Sequence, residues 1–265
     1  MAILTGALSF TGSLQGLSAY KMRGTNKIIL RRKGGATKER IQKHPSFEIV
    51  RRNNEEWKAC IKAVAGIRQI MHPVRHLADY NFSATLNGLC KRIQAADKMN
   101  AFGFRSVLLS QAGYALQGFQ LNKQNNFDNL LQHPLSCTLN RDTATATILL
   151  PQLVPNINFF NPKQLPLYRF VFVLGAAMDM VYNAPQNSYQ PAHTHNYAAV
   201  STAGDWHIWK QGSTAQTLTL TIANWEANSP AALMLWAGIE FGVPVSDTLV
   251  QPVKYAGCAK LLKMG

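Results

Sequence analysis

Carboxylates are scarce in this 265-residue chain: 13 Asp and Glu stand against 27 Lys and Arg. With so few, no spacing suggests a pair working as general acid and base, and the adjacent Glu55 and Glu56 are expected on a solvated helix face. Cysteine is scarce too. Cys60, Cys90, Cys137 and Cys258 lie 30, 47 and 121 residues apart, which fits neither a zinc pairing nor a dense disulfide framework, so buried free thiols are expected. No apolar run approaches the ~18 residues of a membrane span. The first ten residues are apolar but carry no basic flank and are interrupted by Thr5, Gly6 and Ser9, unlike a secretory signal. A cytoplasmic location is therefore the default expectation, with leaderless export left open. The sequence also lacks a Gly-x-Ser-x-Gly elbow, a Gly-Lys-Ser/Thr phosphate loop and a Gly-x-Gly-x-x-Gly turn after a strand. No enzymatic activity and no cofactor are expected.

What the chain does have is apolar content: 47% hydrophobic against 15% charged residues, enough for a sizeable core. It also has a formal net charge of +14, unevenly placed. Residues 1–124 hold 20 Lys and Arg against 6 Asp and Glu, whereas residues 125–265 hold 7 of each. The excess belongs to one half, so the chain reads as two chemically different parts.

Three short segments, 6–14, 17–23 and 27–33, are separated by Gln15-Gly16 and by Gly24-Thr25-Asn26, residues that supply the positive dihedrals of tight hairpins; a β-meander is predicted. Thr37 can cap a helix over 38–43, which Pro45 must end. Ser46 offers the next cap. Apolar steps of three and four at Trp57, Cys60, Ile61, Val64, Ile67 and Met71, and again at Leu86, Leu89, Cys90, Ile93 and Ala96, predict two amphipathic helices. Beyond Gly118, β-branched and aromatic runs at 143–150, 168–174, 198–202, 218–223, 233–241 and 249–255 recur between Pro, Asn and Gly, the texture of an antiparallel sandwich. The expected fold is α+β: a basic β-meander with helices over 1–117, then a neutral β-sandwich over 118–265.

Gly12-Ser-Leu-Gln-Gly16 leading into Leu17-Ser-Ala-Tyr-Lys21, then Arg32-Lys-Gly-Gly35, Arg40-Ile41, Pro45 and Arg51-Arg-Asn-Asn-Glu55, form an ordered set of short motifs. With Leu116-Gln-Gly-Phe119 and Gly238-Ile-Glu-Phe241, the chain resembles, over most of its length, an uncharacterised protein family common in Bacteroidetes genomes. The resemblance implies this domain layout and the absence of a signal peptide, and it carries no activity. Arg31 and Arg32 stand where that family mixes in an acidic residue.

Three polar or aromatic groupings are candidates for function. His193 and His195, two apart, could present both imidazoles on one strand face, with Asp205 and His207 following; no acidic residue occurs between Asn196 and Ala203, and the setting reads as a polar loop rather than a metal site. Trp206 and Trp209 are the credible members of a carbohydrate platform among Trp206, Trp209, Trp225 and Trp236, the last expected in the core. The sharpest feature is the basic set Lys21, Arg23, Lys27, Arg31, Arg32, Lys33, Lys38, Arg40, Arg51 and Arg52, which could contact an acidic protein surface or nucleic acid. It has no helix-turn-helix, and Tyr20, Phe47 and Trp57 do not interleave with the charges as stacking platforms would. Residues 3–20 carry no charge and could pair with a neighbouring subunit's sheet edge, or serve as the first strand of their own sheet.

The leading expectation is a non-catalytic structural or interaction protein, a homo-oligomer or assembly built through its N-terminal strand and basic face. Nucleic-acid binding through the Lys21–Arg52 cluster is second, and carbohydrate binding by the β half third.

Overall fold

The computed structural model describes all residues except 1, 6–9, 194–196 and 227–228. The chain is α+β with antiparallel sheets, and it divides into two compact units, 1–51 and 52–265. The compositional boundary at 117/118 is a different division. The helical residues from 52 to 117 pack on the β half, because their apolar stripes need the sheet to cover them.

In the first unit, β1 (Ala2–Leu4), β2 (Gly12–Leu14), β3 (Leu17–Lys21) and β4 (Ile28–Arg32) form one sheet in the order β1-β4-β3-β2. The β2–β3 and β3–β4 hairpins are the meander read from the sequence, trimmed to their hydrogen-bonded cores. The addition is β1, which joins the far side of β4, pairing Ile3 with Ile29. Helix α1 (Lys38–Lys43) follows, with Thr37 Oγ1 accepting from the Arg40 N–H. Ser46 does not cap the next helix. A 3₁₀ turn over Pro45–Phe47 intervenes, with His44 Nδ1 accepting from the Ser46 N–H.

Helix α2 (Glu48–Ile70) runs through the unit boundary at 51/52, and its residues from 52 on supply the main helical stripe of the second unit. Its buried apolar residues are Ala59, Cys60, Ala63, Val64, Ile67 and Ile70, while Trp57 and Ile61 are exposed. The stripe is rotated toward the alanines, which let the helix lie close to the sheet. Gly175 is required there: a Cβ on it would come within 2.4 Å of the Ile70 side chain. Helix α3 (Ser83–Ala96) adds Leu86, Cys90 and Ile93, and short helices α4 (Leu109–Ala112) and α5 (Phe127–Leu130) lead to the strands.

The strands are β5 (Ser136–Asn140), β6 (Thr145–Leu150), β7 (Leu167–Ala177), β8 (Met180–Asn183), β9 (Ser188–Pro191), β10 (Val200–Ala203), β11 (His207–Ile208), β12 (Gln216–Thr221), β13 (Ala232–Pro244), β14 (Val250–Pro252) and β15 (Cys258–Met264). A six-stranded sheet runs β10-β7-β13-β14, with β11 on β7 and β15 on β13; β12-β6-β5 forms a second sheet, and β8 pairs with β9.

The central strands β7 and β13 are apolar on both faces, as strands covered on both sides must be. One face, with Val171, Val173, Met234 and Trp236, packs under the helices. The other, with Tyr168, Phe170, Phe172, Leu235 and Phe241, packs on Ala146, Ile148 and Leu220 of the second sheet. The second unit is thus three layers, helices on a sheet on a sheet. Within β6 the period-two alternation holds, with Ala146 and Ile148 inward and Thr145 meeting Thr221 across β6–β12 with 3.1 Å between hydroxyls, whereas residues 143–144 belong to the preceding turn, with Ala144 at φ 46°.

Candidate functional site: the N-terminal sheet

Cross-strand register assigns the faces of the N-terminal sheet. Ile3, Ser13, Ser18, Tyr20, Ile29 and Arg31 share one face; Leu4, Leu14, Leu17, Ala19, Leu30 and Arg32 share the other. Each face therefore has an apolar middle. Among the described residues of this unit, only Ala19 and Ile29 are buried apolar side chains, while Ile3 is 50% exposed, Leu14 56% and Tyr20 39%. Helix α1 buries none of its residues.

The basic residues cluster at the two ends of the β3–β4 ladder. Lys21, Arg23 and Lys27 surround the turn that closes it, where the Met22 N–H donates to Lys27 O at 2.9 Å. Arg31, Arg32 and Lys33 stand at the opposite end, beside Ser18, Leu17 and Gly16. Arg31 lies over the Tyr20 ring, 5.4 Å from its centroid, an attraction between cation and ring quadrupole that ties an aromatic to the basic end. Lys38 and Arg40 follow on α1 and, like the strand cations, are exposed. Arg51 is the exception. Its guanidinium donates to Ile41 O at 2.7 Å and His44 O at 2.9 Å, so it holds the end of α1. Arg52 is exposed and begins the second unit. The unit of 51 residues carries ten Lys and Arg against two Glu.

The remaining candidates fall elsewhere. His193 lines a hollow of about 970 Å³ with Ala63, Ile70, His72 and Met180; its expected companion His195 lies outside the described residues. Among the described residues no three His, Cys, Asp or Glu side chains group as a metal site. Trp209 is a core residue at 8% exposure, which removes it from any surface platform. Trp206 is half-buried with the Arg169 guanidinium 4.5 Å from its ring centroid, and Trp236 is fully buried as expected. All four cysteines are free. Burial pushes the Cys60 thiol up to about 11 and Cys90 to about 12, which makes them poor nucleophiles at neutral pH.

Two buried carboxylates were not legible. Glu56, expected on a solvated face, is fully buried. It accepts from Arg105 Nε and Nη2 at 2.7 Å each, from Lys91 Nζ at 2.6 Å and from the Gly103 N–H at 2.8 Å. Burial alone would raise its pKa, but the bonds from Arg105, Lys91 and Gly103 outweigh that and hold it down to about 2. Glu240, on β13, accepts from Arg169 Nε at 2.6 Å and lies 2.7 Å from His76 Nε2. Its pKa, which burial would raise, is lowered by His76 and Arg169; the Glu240 hydrogen bond raises that of His76. Both carboxylates tie helix-side segments to other parts of the unit.

Comparison with protein-family models, with curated proteins and with solved structures found no match.

Proposed function

We propose that this chain is a non-catalytic interaction protein that associates with further copies of itself through the apolar faces and edges of its N-terminal sheet. The observation that carries this reading is the single uncovered layer of residues 1–51, with apolar side chains exposed on both faces. A unit of about 50 residues is marginal even with a complete core, and a second copy would supply the missing layer. Its basic residues sit at the ends of the ladder, leaving the apolar middle clear for contact.

Contact with nucleic acid is the second reading, favoured by the exposure of Lys21, Arg23, Lys27, Arg31, Arg32 and Lys33 at those ends. Salt separates the two by sign. Apolar association of like-charged units tightens as salt screens their repulsion, whereas phosphate contact weakens steeply with salt. Sedimentation velocity at low and high salt, with and without Leu14→Asp and Leu17→Asp together, tests the proposal. Oligomers that strengthen with salt and vanish in the double variant are expected. A chain that stays monomeric at high concentration overturns it. So does retention of duplex DNA by a monomer that is lost on Arg31→Glu with Arg32→Glu.

A further inference from the structure

Two buried carboxylates, Asp97 and Glu56, hold the segment that leaves α3. Asp97 accepts from the N–H groups of Met99 at 2.9 Å, Asn100 at 3.2 Å and Ser106 at 2.8 Å, and from Asn100 Nδ2 at 2.7 Å. Glu56 accepts from the Gly103 N–H at 2.8 Å and from Arg105, and the Tyr189 hydroxyl donates to Gly103 O at 3.3 Å. Between these anchors the Phe104 N–H closes a turn on Ala101 O at 3.0 Å. Gly103, at φ 100°, completes it against α2, where a Cβ would lie 2.8 Å from Arg52 Cβ. Residues 97–106 are thus fixed through their backbone, from the protein side.

What the loop presents to water is apolar. Met99 is 93% exposed, and Phe102 and Phe104 are 39% exposed each. The Phe104 ring leans on Tyr182 of β8, with centroids 4.8 Å apart, and the Arg105 guanidinium lies 5.2 Å from the Phe102 centroid, contacts that prop both rings at the surface. The backbone beneath is committed to buried partners, which keeps three large apolar side chains in water, an unfavourable state until a partner takes them up. The charge around the loop has one sign. Residues 91–106 contain Lys91, Arg92, Lys98 and Arg105 against Asp97 alone, which is buried. Lys91 and Arg105 neutralise Glu56, whereas Arg52, Arg92 and Lys98 are exposed. The neighbouring β8–β9 hairpin, 180–191, carries no charged residue.

We propose that this loop attaches the protein to the surface of an anionic lipid bilayer. Met99, Phe102 and Phe104 enter the boundary between head groups and acyl chains, where apolar side chains leave water without needing a shaped pocket, and Lys98 with Arg52 and Arg92 meets the phosphate head groups. A protruding apolar turn fits a fluid layer better than a preformed protein groove, and cations of one sign fit a surface of the other. Fixing the loop beforehand lowers the ordering cost of insertion. The attachment is peripheral: no helix among the described residues is long and apolar enough to cross a membrane. The site lies wholly in the second unit and is independent of the role proposed for the N-terminal sheet.

Flotation of the full chain with vesicles tests the proposal, since self-associated protein without lipid does not float. Vesicles with about 30% phosphatidylglycerol should carry the protein up at about 100 mM salt, and pure phosphatidylcholine vesicles should bind it about tenfold more weakly. Met99→Ser and Phe102→Ser should each weaken binding to the anionic vesicles about tenfold, and Lys98→Glu severalfold. Met99, being almost fully exposed, is the position least able to disturb the fold. No flotation with the anionic vesicles would overturn the proposal. So would flotation unchanged in Met99→Ser, which would assign the lipid contact to the cations of the N-terminal sheet, or equal binding to the neutral vesicles. Oligomers lost in Met99→Ser without vesicle binding would overturn it too, assigning the loop to a second copy of the chain.

Discussion

Residues 1–51 bury two apolar side chains among those described, Ala19 and Ile29, whereas in the second unit β13 alone buries eleven consecutive residues, 232–242. Both regions are antiparallel sheets made from similar apolar residues. The difference is what covers them. β13 and β7 have helices on one face and a second sheet on the other, so each of their apolar side chains loses contact with water. The N-terminal strands likewise carry apolar residues on both faces, but Ile3, Leu14, Leu17 and Tyr20 remain exposed. A region can thus have apolar residues on both faces of a sheet without containing the layers that bury them, and such a pattern points outward to a partner.

The comparison can be broken most severely in the second unit. Replacing Glu56 by Gln leaves Arg105 and Lys91 without their counter-charge beside a buried amide, and a loss of about 3–5 kcal/mol in denaturant unfolding is expected. The same carboxylate gives the wild type an acid limit. Its pKa is depressed, so its stabilisation is present above the ordinary value near 4.5 and fades as pH falls toward 2. Glu56→Gln should flatten that part of the stability–pH curve; an unchanged acid limb would show that the network is not its source.

Gly212→Ala should cost roughly 2–3 kcal/mol, from the left-handed backbone and the clash with Leu153 O, read as a lower midpoint with an unchanged m-value. A smaller effect belongs to His76. Its pKa is raised, so its contribution is complete below the ordinary value of 6.5 and is lost as pH rises through the shifted one. Thermal unfolding between pH 6 and 9 should show this decline in the wild type and not in His76→Gln.

The smallest stability effect is expected where the self-association effect is largest. Ile3→Asp or Tyr20→Ser should shift the melting of the monomer by no more than about 0.5 kcal/mol, since these side chains are already exposed, while weakening oligomers detected by light scattering. A large drop in monomer stability would mean that this sheet carries more of its own stability than its exposure indicates.

Features set by neighbours in sequence were legible: the Gly16 and Gly24 hairpins, the Thr37 cap and the alternation of β6 and β12. The α+β class followed from them. What was not legible depends on residues brought together from far apart. Glu56 meets its cations from 35 and 49 residues away, and nothing in Glu55-Glu56 distinguishes the solvated carboxylate from the buried one. Trp57 and Ile61 fit the apolar spacing of the predicted helix face as well as Cys60, Val64 and Ile67 do, yet the buried face is rotated to take in Ala59 and Ala63 and leaves both of them exposed.

The strand β13 belongs to both interiors at once, with odd residues in one and even residues in the other. Once the strand leaves, both interiors lose a wall. The helical layer and the sandwich of residues 52–265 are therefore expected to unfold as one cooperative block, with damage to either felt as a weakness of the whole.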